Sequence, residues 1–343
     1  MAHKVTIASL GRTIDVGDND TILEAALAED INYPFGCHSG TCGSCKSKLL
    51  SGEVRYLDYS RFALTEEERA QGWILACSAV PIGDCEVSFE APAESESHPL
   101  RKIECRVTAV ASATHDIKYV TLEPCDGRPL EFSAGQFVNL GFGTLPGRDY
   151  SMANRPDEPH LVFHIRLTAG GVASGYVHRE LKPGDIVALR GPYGTSFLRK
   201  SHPGPVIALA GGSGLAPIKS IVETALRNGF GNPLFLYFGV RDERDLYLEA
   251  HFQALAAAHR NLTFVPVLSQ PSAPTARRTG FLADAVARDF GTLAGWTSYL
   301  AGPPVMVESC KTALQRLQVA PGDCHADAFY TEADRPAAKP AFP

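Results

Sequence analysis

No stretch of this sequence is apolar for long enough to cross a bilayer, and no basic excess offers a face to nucleic acid. Its 32 Lys and Arg stand against 38 Asp and Glu, a formal net charge of −6. The first absence argues against a membrane span. The second argues against the many phosphate contacts that a nucleic-acid binder needs. Nothing at the N-terminus resembles a secretory leader, so a cytoplasmic location is expected. A disulfide framework is not expected of nine cysteines, an odd number, in so long a chain. Histidine is scarce where cysteine is dense: the first ninety residues hold only His3 and His38. A Rieske centre, which needs two histidine ligands, is therefore not expected there.

What the chain does have is Cys37-His38-Ser39-Gly40-Thr41-Cys42-Gly43-Ser44-Cys45, with Cys77 following after 31 intervening residues. The spacing C-x4-C-x2-C with a distant fourth cysteine is the plant-type [2Fe–2S] pattern, in which Cys37, Cys42, Cys45 and Cys77 would be the iron ligands. The small residues between them let the backbone wrap a cluster closely and aim N–H groups at its sulfurs. Structural zinc fits less well, because it usually takes two paired knuckles and Cys77 has no close partner. His38 reads as an exposed side chain near the irons and not as a ligand. The other cysteines, Cys85, Cys105, Cys125, Cys310 and Cys324, read as small buried or incidental residues.

At 343 residues, 45% of them apolar and 20% charged, the chain should divide into two or three domains. Strands at 4–8 and 12–16, a helix opened by a Thr21/Glu24 capping box with Ile22, Leu23, Ala26 and Leu27 facing inward, and strands at 46–50, 74–79 and 86–89 make a small sheet over residues 1–90. That module carries a charge of −7, from 7 basic and 14 acidic residues, so the remainder sums to +1. Such an imbalance suits steering of a partner that is basic near its docking site. Residues 91–100 read as a linker and 331–343 as a disordered tail.

Between residues 101 and 202 short alternating runs separated by turns predict an antiparallel barrel. Two polar clusters interrupt them: Arg148-Asp149-Tyr150-Ser151, and Arg166 with Gly170-Gly171-Val172-Ala173-Ser174 opening a helix. Taken alone, an Arg-x-Tyr-Ser run is more often ordinary surface and core than a site. From 203 to 330 strands and helices alternate, predicting a doubly wound α/β domain. Its first strand, 206–210, runs into Gly211-Gly212-Ser213-Gly214-Leu215-Ala216-Pro217, the strand, glycine turn and helix that seat a pyrophosphate on a helix N-terminus. Pro217 stands where Gly or Ala is usual, a place in the first turn that costs no hydrogen bond. The expected fold class is multidomain α+β: a β-grasp ferredoxin domain, an antiparallel barrel and a doubly wound α/β domain.

These constellations in this order, with Gly302-Pro303-Pro304 following, resemble the ferredoxin-NAD(P)H reductase family, and within it the reductase components of bacterial ring-hydroxylating oxygenases of the naphthalene dioxygenase type. The resemblance spans residues 3 to about 330. It implies FAD on the barrel, with Arg148 on its phosphates, Tyr150 over the isoalloxazine, Ser151 near the reactive N5, Gly171, Val172 and Ser174 on the pyrophosphate, and His164 and Arg166 among the cofactor-binding residues. It implies a nicotinamide dinucleotide held by Gly212, Ser213, Gly214, Pro217, Arg241, Asp242, Gly302, Pro303 and Met306, with Phe329 against the flavin where nicotinamide slides in. Tyr150, Ser151 and Phe329 would then border the reacting atoms. The family frequently has a cysteine before Gly-Pro-Pro, where Ala301 stands here.

The expected activity is transfer of electrons from NADH to FAD to [2Fe–2S], and then to a terminal dioxygenase or an intermediary Rieske ferredoxin docking at the acidic domain. Flavin is the cofactor that joins a two-electron donor to a one-electron acceptor. Asp242 and Glu243 favour the free ribose hydroxyl of NADH, while Arg241 and Arg244 could greet the extra phosphate of NADPH. Other customers remain open: a di-iron or haem monooxygenase, a deoxysugar dehydratase, or no turnover at all in a redox-sensing carrier. A monomer is expected.

Overall fold

A computed structural model describes residues 2–38, 40–61, 63–90 and 98–331. Most of the expected linker and tail lies outside that range. The described residues form two compact units, one within 2–90 with 193–195 and 330–331, the other within 98–192 with 196–329.

The first unit is a mixed five-stranded sheet with a helix laid on it. Ala2–Ile7 pairs antiparallel with Arg12–Gly17 through a turn at Gly11, whose φ of 61° suits a residue without a Cβ. Cys85–Ser88 returns parallel to Ala2–Ile7, and Lys46–Ser51 pairs antiparallel with both Cys85–Ser88 and Trp73–Leu75. Ile22–Ala28 is the helix, and both halves of the Thr21/Glu24 capping box are made. It buries Ile22, Leu23, Ala25 and Ala26, so Ala25 takes the buried place expected for Leu27, which is half-buried. The strand expected over 74–79 is two strands, Trp73–Leu75 and Ala79–Pro81, broken by a turn at Cys77. A helix at Glu66–Ala70, closed by a second capping box from Thr65 and Glu68, carries no apolar stripe and was not legible in the sequence.

In the second unit, six antiparallel strands run in the order 148–151, 137–141, 186–193, 101–112, 117–124, 161–166. The Met152–Phe163 bridge, with Ala153 N–H donating to Val162 at 2.7 Å, joins the two ends, so the sheet curls almost shut. The other lobe is a parallel sheet in the order 278–279, 262–268, 234–240, 206–211, 297–302, 324–328. Alternate residues of Val206–Gly211 enter different cores. Val206, Ala208 and Ala210 pack under helix Leu215–Arg227, while Ile207 and Leu209 pack under Leu282–Asp289 and Pro304–Arg316. Helices on both faces explain why that strand is apolar throughout. Asp242–Asp245 forms its own capped turn, and the helix after it starts only at Glu249, past a left-handed Leu248, φ 56°.

Barrel and α/β lobes share one core, to which Ile117, Ala134 and Leu198 of the barrel contribute. Polar groups join them too: Ser220 Oγ donates to Asn154 O at 2.7 Å, and Lys219 Nζ to Ala153 O at 3.2 Å.

Candidate functional site

The four expected iron ligands converge. Ala76 N–H donates to Cys45 O, and Leu23 N–H at the helix start donates to Ala76 O, so the Cys77 turn is zipped between the loop and the helix. Cys45 Sγ and Cys77 Sγ stand 3.2 Å apart. The Cys37 sulfur accepts from Thr41 N–H and Cys42 N–H, each at 3.3 Å, and the Cys42 sulfur from Cys37 N–H and Ser44 N–H, each at 3.4 Å. Gly40, at φ 70°, is held because a Cβ there would meet Ser78 Oγ at 2.6 Å and Tyr59 Cβ at 2.7 Å. Contact with Cys37, then burial, pushes the Cys42 thiol well up; contact with Cys37 and Cys45, then burial, does the same for Cys77. Without metal this is a costly nest for anions, and iron is the charge that would reverse that cost. Four thiols, three from the loop and one from the Cys77 turn, are the ligand set that a [2Fe–2S] cluster takes. His38 is half-buried and not exposed: its ring lies edge-on against Phe35, with centroids 4.3 Å apart.

On the barrel, Arg148, Tyr150 and Ser151 share the strand Arg148–Ser151. Burial pushes the Tyr150 phenol up to about 12, which keeps the ring neutral. The buried Ser151 donates its hydroxyl to Asp327 Oδ2 at 3.2 Å. Gly171 caps the helix Val172–Arg179 without any side-chain bond, and Val172 is exposed, so the first-turn N–H groups offer an anion site. The Ser174 hydroxyl is engaged locally, accepting from Thr168 N–H at 3.1 Å and donating to Gly171 O at 3.3 Å. A cation, an aromatic ring and a helix N-terminus without a side-chain cap are groups that suit a flavin nucleotide.

His164 and Arg166 make side-chain contacts that lead to the glycine turn. The His164 ring is buried, with Nδ1 3.1 Å from Tyr247 Oη, and burial with Lys219 nearby pushes its pKa down to about 3. Tyr247 in turn donates to Gly212 O at 3.1 Å. Arg166 Nε pairs with Asp116 Oδ2 at 2.7 Å, and its guanidinium lies against Gly212, where a Cβ would come within 3.2 Å.

The glycine turn sits where the strand order of the parallel sheet reverses, between 206–211 and 297–302, the crevice in which open α/β sheets bind ligands. The fit there is close. A Cβ on Gly214 would meet Ala301 O at 2.1 Å, one on Gly302 would meet Gly211 O at 2.8 Å, and one on Gly211 would meet Met306 Sδ at 2.4 Å. Gly214 caps the helix Leu215–Arg227 with no side chain, Ser213 is half-buried, and Pro217 falls in the first turn. Pro303 precedes the helix Pro304–Arg316. Phe329 N–H donates to Gly302 O at 2.9 Å, bringing that ring to the same crevice. Asp242 Oδ1 accepts from Glu243 N–H at 2.9 Å and Ser272 N–H at 3.1 Å; the Ser272 contact, first, holds the carboxyl below its usual range. Arg241 is exposed. Asp327, Tyr247 and Asp116 were missed from sequence; only Asp327 stands beside an expected site residue, two places before Phe329.

Three family descriptions match in chain order: a 2Fe-2S iron-sulfur cluster binding domain over residues 5–81, an oxidoreductase FAD-binding domain over 104–197, and an oxidoreductase NAD-binding domain over 208–312. Fold and sites together define an iron–sulfur flavoprotein reductase. The chain is 38% identical over 327 residues to a Ralstonia reductase component of naphthalene 1,2-dioxygenase/salicylate 5-hydroxylase systems, covering 95% of this chain and 98% of that one. It is 40% identical over 328 residues to the reductase subunit of an Amycolatopsis aromatic O-demethylase, covering 93% and 96%. A crystal structure of an Amycolatopsis cytochrome P450 reductase superposes with a TM-score of 0.79 at 39% identity, covering 95% and 98%. The chain belongs to the family of ferredoxin–NAD(P)(+) reductase components of oxygenase systems. It is an oxidoreductase that carries electrons from a nicotinamide dinucleotide through FAD and a [2Fe–2S] cluster. No helix among the described residues is long and apolar enough to cross a membrane.

Proposed function

We propose that this chain is the NADH-oxidising reductase of a ring-hydroxylating dioxygenase system, passing electrons to the dioxygenase or to its Rieske ferredoxin. The observation that carries the reading is the Ser151–Asp327 hydrogen bond: it joins the strand meant for flavin to the strand Cys324–Ala328, after which Phe329 bonds Gly302. Flavin, when bound, takes two electrons from a nicotinamide and releases them singly. The residues of the chain do the rest. Cys37, Cys42, Cys45 and Cys77 hold the cluster. Arg148 neutralises flavin phosphate, Tyr150 covers the ring, Ser151 presents its hydroxyl to N5, and the N–H groups after Gly171 take the pyrophosphate. Gly212 to Pro217 seat the dinucleotide phosphates, Gly302, Pro303 and Met306 shape the nicotinamide end, and Phe329 keeps water from it. His164 and Arg166 brace this arrangement through Tyr247 and Asp116.

NADH is the favoured donor, supported by Asp242 and Glu243 at the end of strand Leu234–Val240. The acidic first ninety residues, −7 against +1 elsewhere, are the docking face for a partner basic around its redox centre. The chain works as a monomer in the cytoplasm, where NADH is at hand. Visible spectra before and after anaerobic NADH addition test the core of the reading: bleaching of both flavin and cluster bands is expected, and a preparation with flavin but without iron and sulfide would sink it. Likeness to an aromatic O-demethylase subunit at 40% identity keeps a monooxygenase customer as the second reading. Rates of reduction of a purified Rieske ferredoxin, against those of a di-iron and a haem monooxygenase, decide between them.

A further inference from the structure

Tyr247 is buried where the barrel and the α/β lobe meet. Its ring packs on Phe238 of the parallel sheet and on Tyr119 and His164 of the barrel, with centroids 5.5, 6.1 and 5.3 Å away. That packing explains the ring but not the hydroxyl, whose oxygen stands 3.1 Å from Gly212 O and 3.1 Å from His164 Nδ1. A carbonyl can only accept, so the single hydroxyl proton goes to Gly212 O. The hydroxyl oxygen must then accept from His164, which places the one proton of that neutral ring on Nδ1. Two hydrogen bonds thus run from the barrel strand Leu161–Arg166 to the first residue of the turn Gly212–Gly214. Gly212 is a residue that needs an anchor. It is left-handed, φ 54°, and a Cβ there would come within 3.2 Å of the Arg166 guanidinium, so the turn must start on the least restrained kind of backbone. The Gly212–Ser213 peptide is planar and trans, so its carbonyl and the Ser213 N–H point in opposite directions. Tyr247 draws the carbonyl toward the core, and Leu215 N–H takes its other lone pair. Ser213 N–H is thereby turned away from the core.

We propose that Tyr247 is a positioning residue for the dinucleotide: through Gly212 O it holds the Ser213 N–H toward the phosphates, and His164 in turn fixes the Tyr247 hydroxyl. This rests on the functional reading above, which seats the dinucleotide phosphates at Gly212–Pro217. Rotated the other way, the same peptide would present its carbonyl oxygen to an anion and repel it. The flavin-bearing lobe therefore sets the shape of the turn that meets the electron donor, and neither side chain of the relay has to touch the nucleotide.

The test compares the wild type with Y247F, H164L and the double variant. It reads ferricyanide reduction with NADH and with reduced nicotinamide mononucleotide, which has no pyrophosphate, and inhibition by ADP-ribose, which has one. Y247F keeps the ring and its packing and removes only the hydroxyl. A hydrogen bond of this kind contributes about 1 kcal/mol, so the NADH KM and the ADP-ribose Ki should each rise roughly 5-fold, with kcat falling less than KM rises. The mononucleotide KM should move less than the NADH KM. H164L, which leaves the Tyr247 ring in place, should show the same split. The double variant should lose no more than Y247F alone, because both act through one hydroxyl. An unchanged ADP-ribose Ki in Y247F, an equal rise of the mononucleotide KM, or losses that multiply in the double variant overturn the proposal while leaving the reductase reading intact. A wild-type protein in which ADP-ribose does not compete with NADH overturns the phosphate seat as well.

Discussion

In the proposed function the electron path depends on Cys77, which alone of the four thiols comes from outside the loop. Cys77→Ala is expected to abolish cluster absorbance and reduction of the protein partner, yet to spare NADH oxidation by ferricyanide, which draws on the flavin; loss of both activities would place the cluster elsewhere in the path. His38→Ala should leave iron content unchanged, since that ring packs on Phe35 and is not needed as a ligand; iron analysis decides. At the flavin wall, Ser151→Ala removes a hydroxyl held by Asp327, and a loss of about 10²-fold in NADH-to-ferricyanide kcat with little change in KM is expected of a group that acts on the transition state. Steady-state rates with the variant check it.

Elements show where local pattern sufficed and where it failed. The Thr21/Glu24 box opened its helix as read, because a cap is satisfied within one turn. The interval 74–79 misled, since its apolar residues are compatible with one strand, whereas the chain must turn at Cys77 to bring that sulfur within 3.2 Å of Cys45. The glycines of the dinucleotide turn were legible as a motif, but the reason for Gly214 was not. It lies in the approach of Ala301 O, a residue 87 positions away in the chain. Backbone cannot yield as a side chain can, so Gly214→Ala should destabilise the fold by about 3 kcal/mol, at the upper end of overpacking costs. A lowered Tm and weaker NADH binding are the expected signs; an unchanged Tm would contradict the close approach.

The whole molecule adds a pH dependence that no motif announces. His164, buried between Tyr119 and Tyr247, has its pKa pushed from 6.5 to about 3. The folded value is the lower one, so between about pH 6.5 and 3 the unfolded chain binds the proton and the folded one does not. Stability is fully present above pH 6.5 and falls by about 1.4 kcal/mol for each pH unit below it. His164→Gln should flatten that acid limb in thermal melts from pH 7 to 4, a slope that wild-type melts will show if the imidazole is buried and neutral.

The sequence by itself determined the order of the three modules, and it offered the four cysteines proposed for the cluster and the two turns proposed for phosphate, because spacing along the chain is enough to specify a loop that could wrap a cluster or a glycine turn that opens a helix. Only the tertiary structure decided that Ser151 bonds Asp327, 176 residues later, that His164 bonds Tyr247 and Arg166 bonds Asp116, and that Phe281 is exposed after the last strand of one side of the parallel sheet. Those are contacts between distant segments. They follow from strand order and register, which the hydrophobic pattern of each segment does not encode.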